Sequence, residues 1–206
     1  MKLEALKLGT DVSIVANGKE RDLATVVQES AGRLLVDQFE RAVRVASASV
    51  ERVPRSAERL AEAVLRLEPE AKRIAVAEPL DMPTELFDSC RRLPGAFTGR
   101  SKKELESADV GITDAFAGVA RTGSVCVTVD HNYLGYISLL SRAHIVVLAA
   151  TDIVERPGDV FRPDRLDGKG LRRNFVFITG PSATADMGPL VHGVHGPHRL
   201  HVIILV

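Results

Sequence analysis

Residues 43–77 read VRVASASVERVPRSAERLAEAVLRLEPEAKRIAVA, and this stretch decides the fold class. Val43–Val53 alternates and is rich in valine, the pattern of a strand. Pro54 ends it. Ser56 is placed to cap a helix that runs to about Leu67, with Leu60, Ala63, Val64 and Leu67 on one face. Ile74–Ala77 is a short apolar strand flanked by turn residues. Strand, helix, strand is the repeating unit of a parallel sheet with helices on its faces.

Working outward, the rhythm continues. Met82–Leu93 reads as a helix introduced by Pro83, and Asp109–Thr113 as a strand. Ala115–Ala120 reads as one or two helical turns that Gly123 breaks, ahead of a strand at Ser124–Val129. Tyr136–Ser141 reads as helix and Ile145–Ala149 as strand. Arg156–Arg173 is rich in glycine, proline and charge and reads largely as surface loop. Phe175–Thr179 and Val202–Val206 are apolar throughout, as strands covered on both faces would be. Upstream, Asp11–Ala16 can fold back across Asn17-Gly18 onto Arg21–Val27 as a hairpin. The expectation is a mostly parallel α/β domain over residues 37–206, with helices on both faces of the sheet, preceded by an appendage at 1–36.

Composition narrows the function classes. The 206 residues are 45% hydrophobic and 26% charged, which excludes the disordered and fibrous classes. With 27 basic and 27 acidic side chains the net charge is zero, against the basic surplus of a dedicated nucleic-acid binder. Seven Phe, two Tyr and no Trp also leave few platforms for stacking bases. Two cysteines, Cys90 and Cys126, make neither a disulfide framework nor the four thiolates that an iron–sulfur cluster usually takes. No apolar run approaches the length of a membrane span, and Met1–Gly9 has no apolar signal core. These features lead to the expectation of a cytoplasmic protein.

Candidate chemistry sits at the strand junctions, because open α/β sheets bind ligands beyond the carboxyl ends of their strands. Thr122-Gly123-Ser124 can aim backbone N–H groups and two hydroxyls at an anion, although an ordinary turn before a strand would look the same. Gly180-Pro181-Ser182 resembles a strand-to-helix junction, with Ser182 as N-cap, Thr184 beside it and Asp186 in the first turn. His192, His195, His198 and His201 recur every three residues, but Gly193, Gly196 and Pro197 deny them a common helical face, so no metal site is expected. His195, between flexible joints, is the candidate general acid or hydrogen-bond donor, and Asp186 with His195 is the one acid/base pair. Thr122, Gly123, Ser124, Gly180, Ser182 and Thr184 are the candidate contacts to a small carboxylate or phosphate. Cys126 reads as a core residue, and Cys90 stands beside Arg91 and Arg92.

Taken in order, the strings Ala108–Thr113 (ADVGIT), Thr122-Gly123-Ser124, Phe177–Ser182 (FITGPS), Thr184-Ala185-Asp186 and Gly193–Pro197 (GVHGP) resemble the LUD domain of the lactate-utilisation protein C family. The pairing of GPSxTAD with GVHGP ahead of a terminal apolar strand is the most specific part. The resemblance implies a fold like that of ribose-5-phosphate isomerase and the CoA transferases. It also implies a non-cluster subunit or accessory protein that works with iron–sulfur partner proteins to oxidise L-lactate to pyruvate. On that reading the chain binds no cofactor alone, and the clusters belong to the partners. The sequence departs from the family's usual pattern at Arg121 and Ser124 near the first loop, and at Ala183 and Gly188 around the second. Two other readings stay open. One is a stand-alone enzyme acting on a small phosphorylated or CoA-linked substrate. The other is a module that binds an organic acid without chemistry.

Overall fold

A computed structural model of the chain describes residues 13–16, 19–99, 101–129, 134–166, 174–184 and 191–206. Strands β1 (Ser13–Ala16) and β2 (Lys19–Asp22) pair antiparallel, as the hairpin reading expects. The turn residues Asn17 and Gly18 themselves lie outside the described residues. Helix α1 follows at once, Leu23–Val45. It overturns part of the reading of 43–53 as one strand. Val36, Phe39 and Val43 are buried at helical spacing, so the valines at 43 and 45 end a helix, and strand β3 is only Ser49–Val53. Ser47, at φ 63°, reverses the chain between them. The division at 36/37 falls inside α1.

Helix α2 (Ala57–Leu67) starts where expected, with Ser56 Oγ accepting the Arg59 N–H at 3.4 Å. Next come β4 (Ile74–Val76), a 3-10 turn at Thr84–Phe87, and short α3 (Asp88–Arg91). The single helix expected over Met82–Leu93 is thus two short pieces. Then come β5 (Ala96–Phe97), α4 (Lys102–Leu105) and β6 (Val110–Ala115). Residues 117–119, expected to be helical, form strand β7 (Ala117–Val119), paired antiparallel with β8 (Ser124–Thr128). Gly118 and Val119 are weak helix formers, and pairing with β8 satisfies the backbone instead. Helix α5 (Leu134–Leu140) leads to β9 (Ala143–Ala149) and β10 (Ile153–Val154). After α6 (Pro163–Leu166) come β11 (Phe175–Ile178), β12 (Ala183–Thr184), β13 (Val191–His192) and β14 (Arg199–Leu205).

The main sheet has six strands in the order β3-β14-β9-β6-β4-β5, and every pair is parallel. Its central strands β6, β9 and β14 are almost wholly buried, which is why their sequences are apolar runs. On one face Ile145, Val147 and Ile203 pack against Leu60 and Val64 of α2 and Phe87. On the other, Val146, Leu148 and Val202 pack against Phe39 and Val43 of α1. A second sheet, β10-β7-β8-β11, shares that face through Val125 and Val127. Its edge strand β11 is antiparallel to β8 and leaves Val176 and Phe177 about 40% and 39% exposed. The expectation that Phe175–Thr179 lies inside a sheet covered on both faces is therefore corrected: the strand is an edge, and its aromatic side faces Phe161 and Phe116.

Candidate functional site

The strand junctions converge on the end of one helix. Gly123 (φ 69°) and Gly180 (φ 74°) both abut the end of α1. A Cβ on Gly123 would lie 2.5 Å from the backbone at Ala42 and Val43, and one on Gly180 would lie 2.2 Å from the Ala46 carbonyl oxygen. Close packing against a helix explains both glycines. The end they meet is the carbonyl end, whose dipole disfavours an anion. Between them the hydroxyls are spent on one another: Thr122 Oγ1 and Ser124 Oγ are 2.7 Å apart, and Ser124 Oγ and Thr179 Oγ1 are 2.7 Å apart.

Ser182 is not a helix N-cap. The next two residues are extended as β12 and pair with β13 (Ala183 with His192, Thr184 with Val191). Ser182 instead fastens the two junctions together. Its N–H donates to the Pro197 carbonyl at 3.0 Å, its carbonyl accepts from Gly193 N–H at 2.8 Å, and its Oγ accepts from His195 N–H at 3.2 Å. The GPS and GVHGP strings are far apart in sequence and form one hydrogen-bonded unit. His195 is exposed at the rim. Asp186 and Gly188 lie outside the described residues, so no Asp186–His195 pair is described. His192 is exposed on β13, whereas His201 faces the far edge of the sheet. Among the described residues no group of three or more His, Cys, Asp or Glu could hold a metal.

A cavity of about 630 Å³ opens beside this unit, in the size range of small-molecule sites. Val176, Ile178 and the Gly180–Ser182 turn form one wall, Leu139 of α5 another, and Leu200 and His144 the floor. His144 and Leu200 are the second residues of β9 and β14. The cavity therefore lies at the amino ends of these parallel strands, between the two sheets, and not beyond their carboxyl ends as expected. The only titratable side chains among its described lining residues are Tyr136, His144 and His195, and none is Lys, Arg, Asp or Glu.

His144 was not legible as a site residue, because in sequence it only starts an apolar strand. It is fully buried. Its Nε2 lies 2.9 Å from Thr113 Oγ1, and its Nδ1 has no partner. Burial, helped by His201, lowers its pKa to about 3, so the ring stays neutral. Asp114 lies within β6. Its Oδ2 accepts N–H groups from Leu80, Asp81 and Met82 at 2.9, 2.6 and 3.1 Å, ordering the loop beyond β4. Burial nevertheless raises this carboxyl to about 6.

At the opposite edge, Glu68 accepts two bonds from Arg199 (2.7 and 2.8 Å), and His201 Nε2 lies 2.9 Å from Glu68 Oε1. Burial pushes the Glu68 carboxyl up, but Arg199 and His201 outweigh it and hold it below its usual value. Cys90 and Cys126 are buried in separate clusters, and burial pushes both thiols up to about 12. Cys90 is thus a core residue, and the neighbouring arginines do not activate it.

Residues 95–205 match the family model described as LUD domain. The chain is 36% identical over 109 residues to Lactate utilization protein C of Shouchella clausii (strain KSM-K16), covering 52% of this chain and 48% of that protein. It is 33% identical over 107 residues to Lactate utilization protein C of Bacillus subtilis (strain 168), covering 50% and 45%. The match thus spans about half the length of these curated relatives. A crystal structure of a DUF162 family protein from Deinococcus radiodurans superposes with a TM-score of 0.63 at 24% identity, covering 85% of this chain and 98% of that one. This likeness shows the α/β fold.

Proposed function

Since the chain belongs to the LUD domain family, we propose that it serves lactate utilization, as the non-cluster subunit or accessory protein of a system that oxidises L-lactate to pyruvate. The supporting observation is where the family match falls. Residues 95–205 include both junction strings, the cavity beside them and the strands that carry His144 and Leu200. Relatives bearing the lactate-utilization name align over about half of the chain.

Oxidising lactate to pyruvate removes two electrons and two protons, so an electron acceptor must be supplied. Both thiols of this chain are enclosed in apolar clusters and held protonated, which makes them poor cluster ligands. Iron–sulfur partner proteins supply the redox groups in this reading, and the chain works beside them in the cytoplasm. The alternative of an enzyme acting on phosphorylated or CoA-linked substrates has less support. Such substrates call for cations, and the described cavity wall offers neither Lys nor Arg.

The test is to delete the gene in its own host, measure growth on L-lactate, and purify the tagged protein from lactate-grown cells. Loss of growth, with iron–sulfur absorbance and lactate-dependent dye reduction in the eluate, is the expected result. Normal growth with a colourless, inactive eluate overturns the reading.

A further inference from the structure

The far edge of the main sheet carries a side-chain cluster that the cavity does not use. We propose that Ser49 is a nucleophile that accepts the acyl group of a small carboxylic ester, with His201 as its general base and Glu68 as the carboxylate that orients the imidazole.

Three elements build the cluster. Ser49 opens β3, and the parallel register sets it beside His201 of β14. Glu68 caps the carboxyl end of α2, which packs on the same face of the sheet. Ser49 Oγ lies 2.5 Å from His201 Nδ1, and His201 Nε2 lies 2.9 Å from Glu68 Oε1. Hydroxyl, imidazole and carboxylate thus form one chain, the arrangement that activates a serine. The acid and the base are dry, at 9% exposure each, whereas Ser49 is open to solvent and reachable.

The protons follow from what each group can do. Arg199 and His201 keep Glu68 ionised, and a carboxylate only accepts, so Nε2 carries the hydrogen. In the neutral ring Nδ1 is then bare, and it accepts the Ser49 O–H. Arg199 holds both carboxylate oxygens, at 2.7 and 2.8 Å, and so fixes the plane of Glu68. Glu51, two residues along β3, is taken by Arg66 at 2.8 and 3.0 Å, which leaves His201 to Glu68.

β3 is an edge strand, so alternate residues turn their backbone groups away from β14. The Val53 carbonyl accepts from Val206 N–H, so the odd-numbered residues face β14. Val50 faces the open side, where its carbonyl meets Arg44 Nη2 at 3.5 Å. The residue after Ser49 therefore turns an N–H outward, a donor of the kind that acyl transfer uses for an oxyanion. In the step, Ser49 Oγ bonds to the ester carbonyl carbon, its proton passes to His201 Nδ1, and the alcohol leaves with that proton. Water attacking the acyl-serine by the same route restores the hydroxyl and releases the acid. No electrons are transferred, so this activity is independent of lactate oxidation.

The probe is diisopropyl fluorophosphate, which forms an Oγ–P bond with activated serines, loses fluoride and does not turn over. With the purified full chain, peptide mass mapping that resolves Ser49 from Ser47 should show Ser49 modified at least about a hundredfold faster than exposed Ser30 of α1, the low end of what a positioned base supplies. His201→Gln should remove that advantage, and Ser49→Ala should leave residue 49 unlabelled. The wild-type rate should level off where the imidazole is neutral and fall in acid as the ring takes a proton. That profile decides the matter without a core variant, should His201→Gln not fold. Labelling of Ser49 no faster than Ser30, an undiminished rate in folded His201→Gln, or a rate that keeps climbing in proportion to hydroxide would each overturn the inference.

Discussion

The backbone N–H of His195 donates to the Oγ of Ser182 at 3.2 Å, joining two glycine-containing turns that flank the cavity. The bond is partly exposed and the strand pairing beside it supplies others, so its loss is tolerable. Ser182→Ala should cost about 0.5–1 kcal/mol. The His195 amide should then exchange with solvent faster by several-fold, while amides in β9 and β14 keep their protection. Hydrogen exchange followed residue by residue checks this. Equal exchange at His195 in both proteins would show that the strand pairing alone holds the turn.

Gly123 and Gly180 make the next case, because two different roles predict different outcomes. Each has positive φ and sits within 2.5 Å or less of α1 backbone once a Cβ is added. Alanine at either position combines backbone strain with a clash that flexible side chains cannot relieve. Each substitution should destabilise by about 2–3 kcal/mol, measured by urea unfolding. Added phosphate should not stabilise the wild-type chain more than the variants. A phosphate effect that vanished in the variants would restore an anion-binding role for the loops.

Ser47 tests the end of the same helix from the other side. Its N–H bonds to Arg44 O at 3.0 Å and the Ala48 N–H bonds to Val43 O at 3.1 Å, the two closing bonds of a Schellman turn. The residue between them needs φ above zero, which glycine adopts without steric cost and serine does not. Ser47→Gly should therefore stabilise the chain by about 1 kcal/mol and raise Tm by about 2–4 °C. Thermal unfolding measures it, and a lower Tm would mean that the serine side chain has a compensating contact.

These positions show what the sequence could reveal. The parallel core was legible because β6, β9 and β14 are buried on both faces, and burial on both sides writes itself as an unbroken apolar run. α1 was not, since Val43 and Val45 at its end mimic the alternation of β3, and the helical spacing of Val36, Phe39 and Val43 begins further back. The second sheet was hidden for a related reason. Ala117–Val119 is short, and only its pairing with β8 tells strand from helix. Ser182 and His195, one on each junction string, border the cavity. The helix cap expected at Ser182 is absent, because a serine after Gly-Pro looks the same whether a helix or a strand follows. His144 left no local signal: its burial and its contact with Thr113, 31 residues away, are products of the folded sheet.

Asp114 and His144 make opposite contributions to stability across mildly acidic pH. In the folded chain His144 stays neutral down to about 3, against 6.5 for a free imidazole. Its contribution is present above pH 6.5 and is lost as pH falls toward 3. Asp114 stays protonated up to about 6, against 3.8 when unfolded. Its contribution is present below pH 3.8 and is lost as pH rises through 6. Between these limits the two slopes oppose each other. Asp114→Asn removes one of them and keeps a neutral group at the loop N–H donors. Between pH 6 and pH 4 that variant should lose stability more steeply than the wild-type chain, by up to about 1.4 kcal/mol per pH unit. Unfolding by urea at half-unit pH steps measures the difference in slope. Parallel curves would mean that the three N–H donors keep Asp114 ionised despite its burial.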